Sequence, residues 1–161
     1  MLSLPYGWGG YNLERDCSLF TRDIFSAFGL YLPRNSRAQK NAFYHFNISM
    51  LNNAQKKDFL NQFGKAYTTL LYIPGHIMLY AGKIDNNDIV IHNIWGLRKG
   101  KTQRLIIGES AITSLEIGKK EILEKNLLLS RIKEISFIDL NQKEINEINS
   151  FLEKIKDLSN Q

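Results

Sequence analysis

The sequence predicts an α+β fold, with N-terminal helices packed on a central antiparallel sheet and C-terminal helices following it. Three observations predict this order. Leu19, Phe20, Ile24, Phe25 and Phe28 recur at helical spacing in the first part of the chain. From Tyr67 onward the pattern changes to alternating β-branched and aromatic residues. Near the C-terminus, Ile145, Ile148, Phe151, Leu152, Ile155 and Leu158 restore an apolar stripe of helical period.

Each element follows from local chemistry. Residues 5–12, PYGWGGYN, combine turn formers with aromatics and read as a structured loop. Asp16 is a good N-cap, which places Cys17 in the first turn of a helix reaching about Phe28, where Gly29 stops it. Leu32 to Ser36 is a loop, and Ser36 caps a short helix through Phe43. Ala54 to Gly64 is a further helix. Tyr67–Ile73, His76–Tyr80 and Asp88–Trp95 are strand candidates, with Gly82–Asn87 as the hairpin loop between the last two. Arg104–Ile107 and Ala111–Leu115 add two strands. Lys119–Arg131 and Gln142–Leu158 read as helices, the second opened by a capping box of Asn141 and Glu144. Its apolar stripe is expected to pack on the rest of the domain.

Composition narrows the function. A chain of 161 residues, 43% hydrophobic and 23% charged, suits one globular domain with its own core. No apolar run approaches the roughly 20 residues of a membrane helix. The N-terminus, MLSLP, lacks the basic and apolar segments of an export signal. The net charge is +5, densest at Arg98, Lys99, Lys101 and Arg104, which reads as a solvated loop between strands. No aromatics interleave with it, so nucleic acid is not an expected partner. One cysteine forbids an internal disulfide, and three histidines without an HExxH pattern offer no metal set, so no cofactor is expected.

The same scarcity points to cysteine chemistry. Cys17 sits at a helix N-terminus, where free N–H groups and the helix dipole favour a thiolate and lower a thiol pKa from about 8.5 to roughly 3.5–7.5. Two of the three histidines, His76 and His92, fall on adjacent strands of one hairpin. A hairpin centred near Ile84 sets them directly opposite on one face, whereas a tight turn at Asn86-Asn87 separates them by several residues. A cysteine peptidase needs a nucleophile, a base and a group that orients the base; Cys17, His76 and His92 are the candidates. The Cys17 N–H would help hold the oxyanion. His45, between Tyr44 and Phe46, reads as structural.

Five ordered motifs carry a resemblance: PYGWGG at 5–10, DCSLF at 16–20, LPRNSRAQ at 32–39, GHIMLYAG at 75–82 and VIHNIWG at 90–96. In these motifs and their spacing the chain resembles the NlpC-type family of papain-like cysteine peptidases that cut peptidoglycan stem peptides. The resemblance covers about residues 5–97 and implies a papain-like fold, with Cys17 as nucleophile, His76 as base and His92 as its orienting partner. It implies that Asp16, Ser18 and Ser36 line the pocket for the substrate's free amino end, and that Tyr6 and Trp8 wall the cleft. It implies hydrolysis of the γ-D-glutamyl bond to a diamino acid in stem peptides or muropeptides, and action in the cell envelope, periplasmic or secreted, or in cytoplasmic muropeptide recycling. The wording of the last two motifs is similar to the branch in which bacterial SH3-like domains precede the catalytic module. Residues 1–161 are thus expected to form a single catalytic domain, with 98–161 supplying a sheet edge and covering helices. The competing readings are a silent wall-binding module and an amidase-type interbacterial toxin of the same fold; an intact Cys17, His76 and His92 speak against the first.

Overall fold

The computed structural model describes residues 2–159. Asp16 caps α1 (Cys17–Ser26) as its sequence position requires, its Oδ1 accepting the Leu19 N–H at 2.9 Å. The next cap is Asn35 rather than Ser36: Asn35 has extended backbone and accepts the Ala38 N–H at 2.8 Å, while Ser36 is already helical. The resulting α2 (Ser36–Lys40) ends before Phe43, because the chain leaves it directly into β1 (Tyr44–Asn47). A capping box of Asn52 and Gln55 opens α3 (Asn53–Phe63). There follow β2 (Thr69–Ile73), β3 (His76–Ile84), β4 (Asn87–Arg98) and β5 (Arg104–Ser114), which joins two expected strands into one. The chain closes with α4 (Leu128–Arg131), β6 (Glu134–Phe137) and α5 (Gln142–Ser159), the last opened by the expected Asn141–Glu144 box.

The sheet has the order β1-β6-β2-β3-β4-β5, and every neighbouring pair is antiparallel. Its outer strand β5 is covered in part by the N-terminal segment, where Ser3 N–H bonds the Ser110 carbonyl at 2.8 Å and Tyr6 N–H the Gly108 carbonyl at 2.8 Å. Helices lie on both faces. On one, Cys17, Phe25 and Leu32 pack with Leu70, Ile77 and Leu79. On the other, Phe59 and Leu60 of α3 and Ile148 and Leu152 of α5 pack with Leu71, Ile73, Met78 and Val90. No helix among the described residues is long and apolar enough to cross a membrane.

Three expectations are corrected. The segment 119–131 is not one helix but turns, a single 3-10 turn at Glu124–Asn126 and the short α4, because Leu127, Leu128 and Leu129 are all buried in succession. A run of that kind enters the core along its length and cannot present one helical face. The region 98–161 is more than edge and cover: β6 lies inside the sheet, between β1 and β2. Both short strands escape pattern reading, β1 because only Phe46 of its four residues is buried, β6 because Ile135, Ser136 and Phe137 are buried on both faces. Finally, Leu158 at the end of the α5 stripe is 71% exposed, so the stripe packs from Ile145 to Ile155 and not beyond.

Candidate active site

The hairpin between β3 and β4 decides where the two histidines go. It turns at Asp85-Asn86, both at positive φ (46° and 62°), neither of the two positions the sequence left open. From the turn the register runs Ile84–Asn87, Lys83–Asp88, Gly82–Ile89; Ala81 is then left without a partner, and pairing resumes at Tyr80–Val90 and Leu79–Ile91. This is a β-bulge, with Gly82 at φ 93° supplying the left-handed conformation beside it. Side chains alternate faces with period two, so one inserted residue exchanges the faces of everything beyond it. Carried three residues past Leu79–Ile91, the bulged register sets His76 across from Ile94, with His92 diagonal to it on the same face. Without the bulge, the two rings would lie on opposite faces. The expected directly opposed pair is therefore a diagonal one, and its rings still meet: His76 Nε2 lies 3.0 Å from His92 Nδ1.

Pairing of β3 with β4 reaches Leu79–Ile91, and beyond it the start of α1 bears on both strands. The Cys17 thiol donates to the Gly75 carbonyl at 3.9 Å, and the Ile77 N–H faces the sulfur. From β4, Asn93 Nδ2 donates to the Arg15 carbonyl at 2.8 Å. The sulfur is thus held by the backbone on either side of His76. Cys17 is 5% exposed, and Gly75, which accepts its thiol, also walls a cavity of about 270 Å³ shared with His76, Tyr6, Trp8 and Trp95.

The histidine pair extends to a third group that sequence reading missed. His92, fully buried, places Nε2 3.0 Å from Oγ1 of Thr113 on β5. Since Ala111 is the partner of His92, Thr113 is its diagonal neighbour on the same face. Only the β4–β5 register reveals this, and no feature of the sequence around Thr113 does. The hydrogen bonds can run in either direction. When His92 Nε2–H donates to Thr113 and His76 Nε2–H donates to His92, Nδ1 of His76 is left as a free acceptor. His76 Nδ1 has no other hydrogen bond among the described residues.

Electrostatics overturns one expectation. Burial pushes the Cys17 thiol up; the Ile77 N–H opposes this, the Asp16 carboxylate adds to it, and the net result lies above the ordinary value. The N–H groups of Ser18 and Cys17 act in the expected direction but are outweighed, because desolvation of a buried thiolate dominates a few amide dipoles. Burial, together with the charge of Arg131, pushes His76 down to about 3, and burial drives His92 well below its ordinary value. These directions favour an uncharged thiol at Cys17 and uncharged imidazoles at His76 and His92.

Around Asp16 the polar side chains are already engaged. Its Oδ1 accepts from Leu19 N–H at 2.9 Å, Ser18 Oγ at 3.0 Å and Arg34 Nη1 at 3.0 Å; its Oδ2 accepts from Arg34 Nη2 at 2.7 Å and Gly9 N–H at 3.3 Å. These donors fill the lone pairs of a carboxylate, so a substrate ammonium would have to compete with the Arg34 fork. Ser18 is buried and also accepts from Arg34 Nη1 at 2.9 Å. Ser36, half-buried at the start of α2, has no hydrogen bond of its own hydroxyl among the described residues. Tyr6 stands edge-on to Trp8 with centroids 5.2 Å apart. Burial, then the charges of Cys17 and Asp16, push its phenol up to about 12 despite Arg34, so it remains a donor beside the sulfur. His45 lies on β1, separated from β4 by three strands, with Nδ1 3.3 Å from the Phe43 carbonyl.

One solved structure shares this architecture with a TM-score of 0.74. No curated protein matches the chain. Among solved structures, an NlpC/P60 endopeptidase from Photobacterium damselae subsp. piscicida is similar at 26% identity with a TM-score of 0.74, over 85% of this chain and 36% of that one. The peptidoglycan hydrolase RipB from Mycobacterium tuberculosis is 18% identical with a TM-score of 0.49, over 87% of this chain and 60% of that one. The P60 domain of an antigen from M. avium subspecies paratuberculosis is also 18% identical, with a TM-score of 0.48, over 87% of this chain and 88% of that one. The chain thus spans 36% of the length of the Photobacterium protein. Residues 3–98 match the model of the NlpC/P60 family, and so the chain belongs to that family and has its papain-like fold.

Proposed function

We propose that this chain is a cysteine endopeptidase that hydrolyses peptidoglycan stem peptides at the γ-D-glutamyl–diamino acid bond, through a thioester acyl-enzyme. The observation that supports it is the junction of Cys17, His76 and His92: a thiol at the start of α1, held by the backbone flanking one imidazole whose far nitrogen meets a second imidazole at 3.0 Å. The family, and a similar structure described as an endopeptidase, support the same reading.

In this proposal His76 Nδ1 takes the Cys17 proton as the sulfur attacks the carbonyl carbon. General-base transfer, not a preformed ion pair, suits two neutral partners. The Cys17 N–H receives the developing oxyanion. Collapse of the tetrahedral species breaks the C–N bond, and His76 returns the proton to the leaving amine. Water then gives a proton to His76 and attacks the thioester, releasing the acid and restoring the thiol. His92 accepts from His76 Nε2–H throughout, with Thr113 fixing the tautomer of His92.

Asp16, Ser18 and Ser36 line the acyl side, where a free amino end shares Asp16 with Arg34, while Tyr6 and Trp8 wall the cleft beside His76. Residues 1–161 act as one catalytic domain in the cell envelope, since β6 and α5 complete the core that carries the site. The test is digestion of defined muropeptides, with and without a free N-terminal alanine, followed by mass measurement. Cleavage between D-glutamate and the diamino acid is expected, and Cys17→Ser should abolish it with the fold retained. Equal turnover by that variant would end the proposal.

A further inference from the structure

Arg104 and Arg131 share a cavity with His76, and Arg98 lies across the sheet from Arg104; among the described residues none of the three is paired with a carboxylate. Arg98 and Arg104 are direct cross-strand partners on β4 and β5, a placement in which like charges repel. Arg131, half-buried at the end of α4, faces both of them and also bears on His76. None of the three has an ion pair or side-chain hydrogen bond among the described residues, although lysines elsewhere find partners, as Lys57 and Lys119 do at Glu116. Arg104 and Arg131 wall the cavity of about 270 Å³ that contains His76 and Gly75, and no acidic residue lines it.

Position assigns this cavity to one half of the substrate. Asp16, Ser18 and Arg34 stand at the start of α1, on one side of the sulfur. The arginine cavity contains the imidazole instead. The group that receives the proton from His76 is the leaving amine, so the amine half of a cleaved peptide extends into the cavity. We propose that Arg104 and Arg131, backed by Arg98, form a subsite for a free carboxylate on the leaving, diamino acid half of the substrate. This rests on the peptidase reading and adds a charge requirement to it: stem peptides whose carboxylates beyond the scissile bond are amidated are poor ligands. Cations held close together against their repulsion favour an anion that joins them, and a guanidinium fork suits a carboxylate geometrically.

The test uses uncleavable product ligands and the intact chain. Diaminopimelyl-D-alanine and its diamide are titrated into the wild-type protein by calorimetry at low salt. The carboxylate form is expected to bind at least tenfold more tightly, with affinity falling as salt rises. Arg104→Gln and Arg131→Gln should each reduce that preference to about twofold or less, while Lys154→Gln, a charge loss on α5, leaves it intact. Arg104 is exposed, so its variant serves should Arg131→Gln fail to fold. Equal binding of both forms, binding of neither, or a preference surviving both substitutions overturns the subsite. The two proposals separate cleanly: muropeptide cleavage without a carboxylate preference ends the subsite alone, and the preference without cleavage ends the peptidase reading while keeping an anion-selective cleft.

Discussion

Arg34 grips Asp16 through both carboxylate oxygens, Nη1 to Oδ1 at 3.0 Å and Nη2 to Oδ2 at 2.7 Å, with Nη1 also reaching Ser18. The fork ties the loop before α2 to the residue that caps α1 and precedes the thiol. Burial pushes the Asp16 carboxyl up, but the Arg34 bonds, the Leu19 N–H and Ser18 outweigh it, leaving it below the ordinary value. Arg34→Gln is expected to cost about 1 kcal/mol at neutral pH, a modest figure for a partly exposed pair. A lowered folded pKa means that the stabilisation is complete above the unfolded value, about 3.9, and is lost as pH falls through the folded one. Urea titrations should therefore show the gap between wild type and variant closing below about pH 4. A gap of constant size down to pH 3 would refute the assignment.

The raised thiol pKa governs alkylation. Iodoacetamide should react slowly with Cys17 near pH 6, and the rate should climb through and beyond the ordinary thiol range around 8.5. A plateau already reached at pH 6 would show a thiolate stabilised in the resting enzyme and contradict the neutral pair.

Removal of the relay should be graded. Loss of His76 to alanine should lower kcat/KM by about 10³-fold or more, the upper range for a general base. His92→Ala should cost less than His76→Ala, and Thr113→Val less again, because each acts only through the ring before it. Thr113→Val should also shift the pH–rate profile, and Thr113→Ser should restore it. The order is checked by steady-state kinetics on one muropeptide; a Thr113→Val enzyme more impaired than His76→Ala would break the scheme.

Deleting Ala81 tests the bulge. The strand would return to the register set by the Asp85-Asn86 turn, sending His76 and His92 to opposite faces. Activity should fall below detection and Tm should drop by several degrees, while Ala81→Ser keeps both near wild type. A deletion variant with unchanged kcat/KM would disprove the role given to the bulge.

Acid should weaken the fold through its two buried histidines. His76 takes up its proton near pH 6.5 when unfolded but only at about 3 when folded, and His92 is depressed in the same sense. Between those values the unfolded chain binds more protons, so stability falls as pH falls, by at most about 1.4 kcal/mol per pH unit for each site. His92→Gln should flatten the decline of Tm between pH 6.5 and 4.5. A decline as steep as that of wild type would exclude His92 as a contributor.

Much of the fold was legible because it rests on local chemistry. The Asp16 cap, the α3 helix, the Asn141–Glu144 box and the strands around both histidines all have their causes within a few residues of sequence. The elements that were missed have distant causes. β6 is four residues long and exists because β1 and β2 flank it; Leu127 to Leu129 are buried by parts of the chain far from them in sequence.

For the site, the sequence by itself determined which groups are available: one thiol at a helix start, and two imidazoles on one hairpin. Tertiary structure decided their faces, their partners and their charge states. One unpaired residue at Ala81 sets the face of His76, the β4–β5 register brings Thr113 to His92, and Arg34 reaches Asp16 across a loop. Charge state depends on what surrounds a group in three dimensions. Burial at Cys17 overrides the helix N-terminus that local sequence predicts to dominate, because withdrawing a thiolate from water outweighs the few dipoles that one helix end supplies.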